Sequence, residues 1–436
     1  MIALSAVLVA FLLMGAVLAR SASSEGAYRQ LAVYSDVLQR IKSDYVEEPD
    51  LKSVTLGAIN GLLESIDPFA SYLNAEQYKE YLKNKDTYKG SVGLILSKRF
   101  GYVGVVDSIP GSPAARAGLT TGDMIESIRG IATRDMPLAY ANMLLEGKPG
   151  TTVEISVMAV QHPEPKKLTL TRAAVDYPRV AARMMPDRIG YVQVQAIVPG
   201  TVTEISDAVR GLEKQGAAKL IVDFRYCGAG TPEDGIAIAN LFQQKGLVAY
   251  AEGQHYTRKD FEADPAKAVT TLPLVVLTNR GTAAGAEVAA AALLDSKRAE
   301  QVVGERTYGD ASVRQVIAMD DGGAIILSVA KYYSPSGKAI QQDGVAPTVQ
   351  VVEAEPAVAA ETEEEEETPA EEVTPVKPGE DPILKKALEI AVRGVSADAA
   401  QTPGAPAGNE PVVPHQIPPN VMQPETPSRV PAAPQH

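Results

Sequence analysis

The spacing of hydrophobic residues changes along the chain, and each spacing predicts a different kind of structure. From Gly26 to about Lys85, apolar residues recur at steps of three and four, as they do on one face of an α-helix. From about Thr87 to Ala174, short apolar runs such as VGLILS and YVGVVDSI are separated by Gly and Pro, which predicts β-strands. From Pro178 to Val351, strands such as AKLIVDFRY alternate with amphipathic helices such as VTEISDAVRGLEKQG, which favours a βαβ-type core.

The two ends of the chain depart from these patterns. Residues 2–19 form an uncharged apolar run, which predicts that residues 1–25 are an export signal retained as a membrane anchor. We therefore expect an exported protein of the periplasm or cell envelope. Residues 353–436 are acidic and then rich in Pro and Ala, which predicts a mostly disordered tail. A short amphipathic helix over residues 381–394 lies within this tail, either as an exposed spur or docked on the core.

Charge and cysteine content exclude several classes of function. The net charge is −13, but twelve acids and one base lie between Glu353 and Asp381, so the remainder of the chain is close to neutral. Because no basic stripe is present, nucleic acid is excluded as an expected partner. A single cysteine, Cys227, excludes an intrachain disulfide and a Cys-based metal cluster, and the four histidines are scattered. We expect no metal and no cofactor.

The β-rich segment resembles a known binding module. GSPAARAGLTTGDMIESIRG, a following helix and GKPGTTVEISV resemble a PDZ domain of the bacterial protease type. In such domains the amides of a glycine-containing loop bind a peptide's C-terminal carboxylate, and the peptide adds as a strand to a sheet edge. The resemblance assigns peptide binding to Ser91, Val92, Gly93 and Leu94.

The whole order of segments resembles the carboxy-terminal processing peptidases, also called tail-specific proteases. The motifs that carry this resemblance are AINGLLESIDPFASYL, IGYVQV, LIVDFR, GERTYG and AKYYSPSGKAIQ. It implies a multidomain α/β protein: a crotonase-like αβ protease core with an inserted PDZ domain, itself a small β-rich barrel with two helices, and a helical N-terminal region. The expected segments are 1–25 for the anchor, 26–86 for the helical region, 87–176 for the PDZ domain, 177–352 for the peptidase-like core and 353–436 for the tail.

The resemblance also places the family's catalytic positions. The family uses a serine nucleophile and a lysine base supported by a glutamine, and these positions are occupied here by Ala284, Asp310 and Arg314. Alanine has no oxygen that can attack a carbonyl, and an aspartate has the wrong charge to stabilise an oxyanion. Because Asp310 and Arg314 are four residues apart, a helical turn would allow them to form an ion pair.

A third departure lies after the strand LIVDFR, where the family has a proline-containing loop that lines the oxyanion hole. Gly228, Ala229 and Gly230 occupy this region, which we interpret as vestigial. Thr282, Ser312 and Cys227 are the residues that could serve as relocated nucleophiles. The structural interpretations are a helix-capping hydroxyl for Thr282, a loop hydroxyl bound to backbone for Ser312, and inert packing for Cys227.

These observations predict a protein of the cell envelope that belongs to the protease family and lacks its dyad. Its function would be PDZ-mediated binding of peptide or protein C-termini, as a homodimer or as the inactive partner of an active paralogue, with the N-terminal segment in the membrane. The alternative is an active serine-type endopeptidase that cleaves exported proteins near their C-termini with relocated groups. A third alternative is a structural envelope protein that acts through its acidic, Pro-rich tail.

Overall fold

The computed structural model describes residues 29–84, 90–99, 101–134, 136–159, 162–353 and 381–393. The expected membrane anchor over residues 1–25 and most of the expected tail lie outside these ranges. Among the described residues, we find no helix whose length and apolar character would allow it to span a membrane.

The N-terminal region contains three helices and one short strand. The helices are α1 (residues 29–44), α2 (Leu51–Glu64) and α3 (Ala75–Asn84), and strand β1 (Ser71–Leu73) lies between the last two. Helix α2 begins where Asp50 accepts hydrogen bonds from the amides of Lys52 and Ser53, which satisfies two donors of the first turn. Strand β1 was not expected in this helical region, and it joins a sheet of the core.

The expected PDZ segment forms a six-stranded antiparallel sheet with two helices. Its elements are β2 (Leu94–Arg99), β3 (Tyr102–Ser108), α4 (Pro113–Arg116), β4 (Met124–Ile128), β5 (Ile131–Ala132), α5 (Leu138–Leu145), β6 (Thr152–Ala159) and β7 (His162–Thr171). The main strand order is β2-β3-β4-β6-β7, so that β2 is an edge strand. Buried Val, Ile and Leu side chains of these elements form one apolar cluster. The β-rich barrel with two helices is therefore confirmed.

The protease-like core is built on a mostly parallel sheet. Its elements are β8 (Ala181–Met185), a 3₁₀ turn (Pro186–Arg188), β9 (Ile189–Gln193), α6 (Thr201–Lys214), β10 (Lys219–Asp223), α7 (Pro232–Phe242), β13 (Leu274–Thr278), α8 (Gly285–Asp295), β14 (Ala299–Gly304) and β17 (Val349–Gln350). Strand order is β17-β14-β13-β10-β9-β8, and only β8 is antiparallel to its neighbour. Parallel strands place their carboxyl ends at one edge, so the residues after β10, β13 and β14 lie close together.

A second, antiparallel sheet covers one side of this core. It contains β11 (Leu247–Gly253), β12 (Tyr256–Glu262), β15 (Ser312–Ala318) and β16 (Ala324–Tyr333). Strand β16 pairs with β11, with β15 and, through Ile326 and Ser71, with β1 of the N-terminal region. The N-terminal region therefore completes the core rather than forming a separate body.

The helix expected within the tail is α9 (Pro382–Arg393), and it docks on the central sheet. Ile383 and Ala387 are fully buried against Tyr191, Ile221 and other apolar side chains of the face opposite α6, α7 and α8. The Arg225 guanidinium binds both oxygens of Asp381 at 2.8 Å. Of the two arrangements that the sequence left open, the structure has the docked helix.

Candidate functional site

The turn between β13 and α8 is held by side chains of its own residues. Thr282 is fully buried, and its hydroxyl donates to the carbonyl of Phe224 at 2.8 Å while accepting from the amide of Asn279 at 3.0 Å. The Asn279 carboxamide oxygen in turn accepts from the amide of Tyr226 at 3.0 Å. The interpretation of Thr282 as a helix cap is therefore wrong, because its hydroxyl joins the turn to the segment after β10.

Ala284 occupies the strained position of this turn. Its backbone angles are φ 52° and ψ −120°, a conformation that residues other than glycine seldom adopt. Sharp strand-to-helix turns of this kind present the nucleophile in α/β-hydrolases. The turn therefore has the backbone shape that such nucleophiles adopt, while the methyl group of Ala284 offers no reactive atom.

Glu287, in the first turn of α8, joins this turn to the loop between β14 and β15. One carboxylate oxygen accepts from the amides of Ala284 at 3.1 Å and Asp310 at 2.7 Å. The other accepts from the amide of Gly309 at 2.6 Å and from the Thr307 hydroxyl. Complete burial raises the pKa of Glu287 to about 8, although these donors act in the opposite direction. Glu287 thus places positions 284 and 310 side by side.

Asp310 and Arg314 form the expected ion pair, but the secondary structure that carries them is not the expected helical turn. Asp310 lies in the loop before β15 and Arg314 lies on β15, so the pair forms on a strand rather than on a helical turn. The Arg314 guanidinium also lies 4.3 Å from the centre of the Phe69 ring. The pKa of Asp310 is raised, chiefly by burial and to a smaller extent by the nearby Asp67, although Arg314 acts in the opposite direction.

The expected vestigial oxyanion region lies directly beside the turn. The carbonyl of Cys227 accepts from the amide of Ala283 at 3.0 Å, and the carbonyl of Ala229 accepts from the amide of Ile197 at 3.1 Å. Gly230 has φ +130°, and a Cβ there would lie 2.6 Å from the Cβ of Ile197. Position 230 of this loop therefore accommodates only glycine.

Cys227 and Ser312 are both engaged elsewhere. The Cys227 thiol is fully buried, and burial, followed by Asp107 and Asp223, raises its pKa above the ordinary range of a thiol. Ser312 lies on β15 and its hydroxyl accepts from Ser328 on β16 at 2.8 Å, so it is a strand residue rather than a loop residue. Cys227 therefore lacks the exposure that a reactive thiol needs, and the partner of the partly buried Ser312 hydroxyl is another hydroxyl rather than a base.

The four residues expected to bind peptide form the loop that leads into β2. Gly93 has φ +79°, and its amide donates to the Ser91 hydroxyl at 3.0 Å. Ser91 pairs with Ala173, while Val92 is fully buried and its carbonyl accepts from the amide of Ala114 at 2.9 Å. Leu94 is the first residue of β2.

The contact between the PDZ domain and the loop of residues 228–230 was not predicted from the sequence. A Cβ on Gly228 would lie 3.0 Å from the Ile95 side chain and 3.2 Å from the Cβ of Asp107, both from the PDZ sheet. Burial raises the pKa of Asp107 to about 7, against the effect of the Ser108 and Gly228 amides. The one feature of the sequence that could have indicated this contact was the carboxylate of Asp107 at the end of the apolar run YVGVVD. Likewise, Ser97 on β2 hydrogen-bonds to the hydroxyl of Tyr308.

A cavity of about 570 Å³ lies near this region, and Asp67 lines it together with residues of β11, β15 and β16. One oxygen of the buried Asp67 carboxylate has no hydrogen-bond partner. Within the described part of the chain, no three His, Cys, Asp or Glu side chains are grouped so as to hold a metal ion.

Comparison with known proteins agrees with this architecture. Residues 188–351 match peptidase family S41, and residues 104–157 match a PDZ domain. The chain is 33% identical over 315 residues to carboxy-terminal processing protease CtpA of Bacillus subtilis, covering 71% of this chain and 66% of that protein. It is 31% identical over 315 residues to the carboxyl-terminal-processing protease of Synechocystis, covering 70% of this chain and 73% of that protein. The chain belongs to the carboxy-terminal processing proteases.

A solved structure of this protease family has the same fold. The photosystem II D1 C-terminal processing protease superposes with a TM-score of 0.61 at 28% identity, covering 74% of this chain and 92% of that one. A chloroplastic C-terminal processing peptidase of Tetradesmus obliquus is 33% identical over 333 residues, covering 72% of this chain and 71% of that protein. The expected combination of an αβ protease core, a PDZ domain and N-terminal helices is thus confirmed.

Proposed function

We propose that this carboxy-terminal processing protease-like protein binds peptide or protein C-termini through its PDZ domain and does not hydrolyse them. One observation carries the proposal: Glu287 holds the amides of Ala284 and Asp310 on a single carboxylate oxygen, at 3.1 and 2.7 Å. The positions that the family resemblance assigns to nucleophile and base are therefore adjacent, and they hold a methyl group and a carboxyl group. A methyl group cannot act as a nucleophile, and a carboxyl group at the base position does not replace the lysine on which the family mechanism depends.

The surrounding contacts support an inactive site that remains well ordered. Arg314, at the supporting position, is paired with Asp310 and lies over Phe69. The three relocated candidates, Thr282, Ser312 and Cys227, are engaged in hydrogen bonds or fully buried. A binding function needs only the backbone amides of a loop and an edge strand, and residues 91–94 and β2 supply both.

We further propose an exported location in the periplasm or envelope, with residues 1–25 in the membrane. The proposal includes assembly as a homodimer or with an active paralogue, and the second arrangement would bring bound C-termini to a working site. The apolar run at the N-terminus motivates the location, and the conserved fold without its dyad motivates the assembly. Size measurement of the detergent-extracted chain, alone and with a proteolytically active relative, tests the assembly. A monomer under both conditions contradicts it.

The decisive experiment is digestion of a disordered test protein by the full chain in detergent. The parent is compared with a triple variant, Ala284→Ser, Asp310→Lys and Arg314→Gln, and with Glu80→Gln as an exposed control. We expect no cleavage by the parent or by the control. Cleavage by the triple variant alone would show that the site lacks only its reactive side chains.

Cleavage by the parent establishes the alternative, an active endopeptidase. Thr282→Val, Ser312→Ala and Cys227→Ala, each assayed alone, then identify the nucleophile. A parent that cleaves and is silenced by one of these changes overturns the proposal of an inactive site. Binding of C-terminal peptides is measured separately, by fluorescence anisotropy, so that it does not depend on the cleavage result.

A further inference from the structure

The open edge of β2 is where a peptide would add as a strand. Strand β2 ends the PDZ sheet, and helix α5 runs alongside it. Along a strand, every second amide points to the same edge, so the amides of Leu94, Leu96 and Lys98 share one edge. A bound C-terminus would start at the glycine loop and run along these amides.

The far end of this edge is already occupied by the chain itself. The amide of Lys98 donates to the carbonyl of Pro68 at 3.3 Å. Across the groove, the Ser71 hydroxyl accepts from the amide of Ala139, in the first turn of α5, at 3.1 Å. Residues 67–71 therefore contact both walls of the groove, the strand and the helix.

Phe69 fixes this segment between the two domains. It is 5% exposed and belongs to the apolar cluster of the PDZ domain. Its ring meets that of Tyr308 edge-to-face at 6.0 Å and lies under the Arg314 guanidinium at 4.3 Å. Contacts on both sides make the segment part of the folded structure rather than a loosely attached loop.

A second anchor holds the segment from the core side. The Asp67 carboxylate accepts from the amide of Phe69 at 2.9 Å and from the Gln341 carboxamide at 3.4 Å. The Gln341 side-chain oxygen accepts from the amide of Ala311, next to Asp310, at 2.8 Å. Displacing residues 67–71 would therefore break contacts to the PDZ domain and to the loop at position 310 together.

We propose that residues 67–71 are a built-in occupant of the outer groove, so that the PDZ domain reads only the last three or four residues of a free C-terminus. The inference rests on the proposed peptide-binding function. Two amides, those of Leu94 and Leu96, remain on the open edge before Lys98, and an added strand uses one amide for every two residues. Ligand residues further upstream leave the groove and gain no strand contacts.

The experiment compares ligand lengths on the full chain in detergent. A library of fluorescent eight-residue peptides with free C-termini is screened for the peptide that binds most tightly. Two further forms of that peptide are then made: one that contains only its last four residues, and one whose C-terminus is an amide. For the parent, we expect the four- and eight-residue forms to bind within about threefold of each other, and the amide to bind at least about tenfold more weakly. In Phe69→Ala, we expect the eight-residue form to bind about tenfold more tightly than the four-residue form, because the outer groove opens.

Ser71→Ala is the milder second variant, and Leu62→Ala, at an exposed position of α2, is the control. Circular dichroism establishes folding, and if Phe69→Ala does not fold, Ser71→Ala decides the matter by the same length comparison. An eight-residue peptide that binds the parent about tenfold more tightly than its four-residue form overturns the inference and leaves peptide binding intact. Equal affinities for both lengths in the folded variants also overturn it. No binding by any library peptide overturns the proposed function, and the inference with it.

Discussion

Two turns in this protein hold a residue at positive φ, and they differ in which residue adopts that conformation. At the start of α8, the positive φ of 52° falls on Ala284, an alanine in a conformation that favours glycine. At the PDZ loop, the φ of +79° falls on Gly93. The family chemistry requires a reactive side chain at the first turn, whereas the peptide binding proposed for the second requires only backbone amides. A site that works through its backbone survives side-chain replacement, and a site that works through side chains does not.

The largest effect is expected at the PDZ loop. A Cβ on Gly93 would lie 2.2 Å from the Cβ of Ser112, and φ there is positive, so Gly93→Ala should destabilise the protein by about 3 kcal/mol or more and abolish peptide binding. Gly101→Ala is the matched control, since its φ is +83° with no atom within 4 Å, and it should cost only about 1 kcal/mol. Chemical denaturation and anisotropy check both. Equal costs would contradict the importance of the close approach.

Removing the carboxylate that joins the two motifs should have the next largest effect. Glu287→Ala leaves the amides of Ala284, Gly309 and Asp310 without their acceptor, and we expect a loss of about 3 kcal/mol in the free energy of unfolding. Glu287→Gln keeps one acceptor oxygen and should cost less. Urea denaturation measures both, with the exposed Glu80→Ala as control. If all three variants unfold alike, Glu287 does not hold the turn.

Asp107 should make stability depend on pH. Its pKa is raised from an ordinary 3.8 to about 7, so its contribution is complete below about pH 4 and is lost as pH rises through about 7. Between pH 4 and 8, the parent should therefore lose more stability than Asp107→Asn, by an amount of the order of a few kcal/mol. Thermal unfolding at several pH values tests this, with Asp207→Asn on α6 as control. A parent and an Asp107→Asn variant with parallel profiles would exclude this role.

A smaller effect, of opposite sign, is expected at the strained alanine. Ala284→Gly relieves the positive φ and should stabilise the fold by about 1 kcal/mol. Ala290→Gly, in the middle of α8, should instead destabilise it by about 1 kcal/mol, because glycine weakens a helix interior. Denaturation curves of the pair test the assignment of strain. Destabilisation by both variants would mean that Ala284 is not strained.

The smallest effect is expected at the ion pair between Asp310 and Arg314. Arg314→Gln removes a partly exposed pair with Asp310 and the contact with Phe69, and we expect it to cost less than about 1 kcal/mol. Arg40→Gln, which breaks the exposed pair with Asp44 on α1, is the control and should cost about 0.3 kcal/mol. A loss above about 2 kcal/mol for Arg314→Gln would show that this pair holds the loop at position 310.

The sequence by itself determined the main segments of the chain and their order. The spacing of apolar residues predicted helix α6, and the alternation of strands and helices predicted the core, because periodicity and turn chemistry are local properties of the chain. Ala284, Asp310 and Gly93 lie within short sequence motifs, which are also local. These residues could therefore be singled out before any contact was known.

Only the tertiary structure decided which of these elements meet. Thr282 binds the carbonyl of Phe224, 58 residues away, rather than capping its own helix. Helix α9 docks through Asp381 and Arg225, and Pro68 occupies the edge of β2 at Lys98. Such contacts join segments far apart in the chain, and their energy depends on burial, which exists only when the faces come together. An amphipathic pattern predicts that the apolar face of a helix will be buried. Which segment of the chain packs against that face is decided only by the tertiary structure.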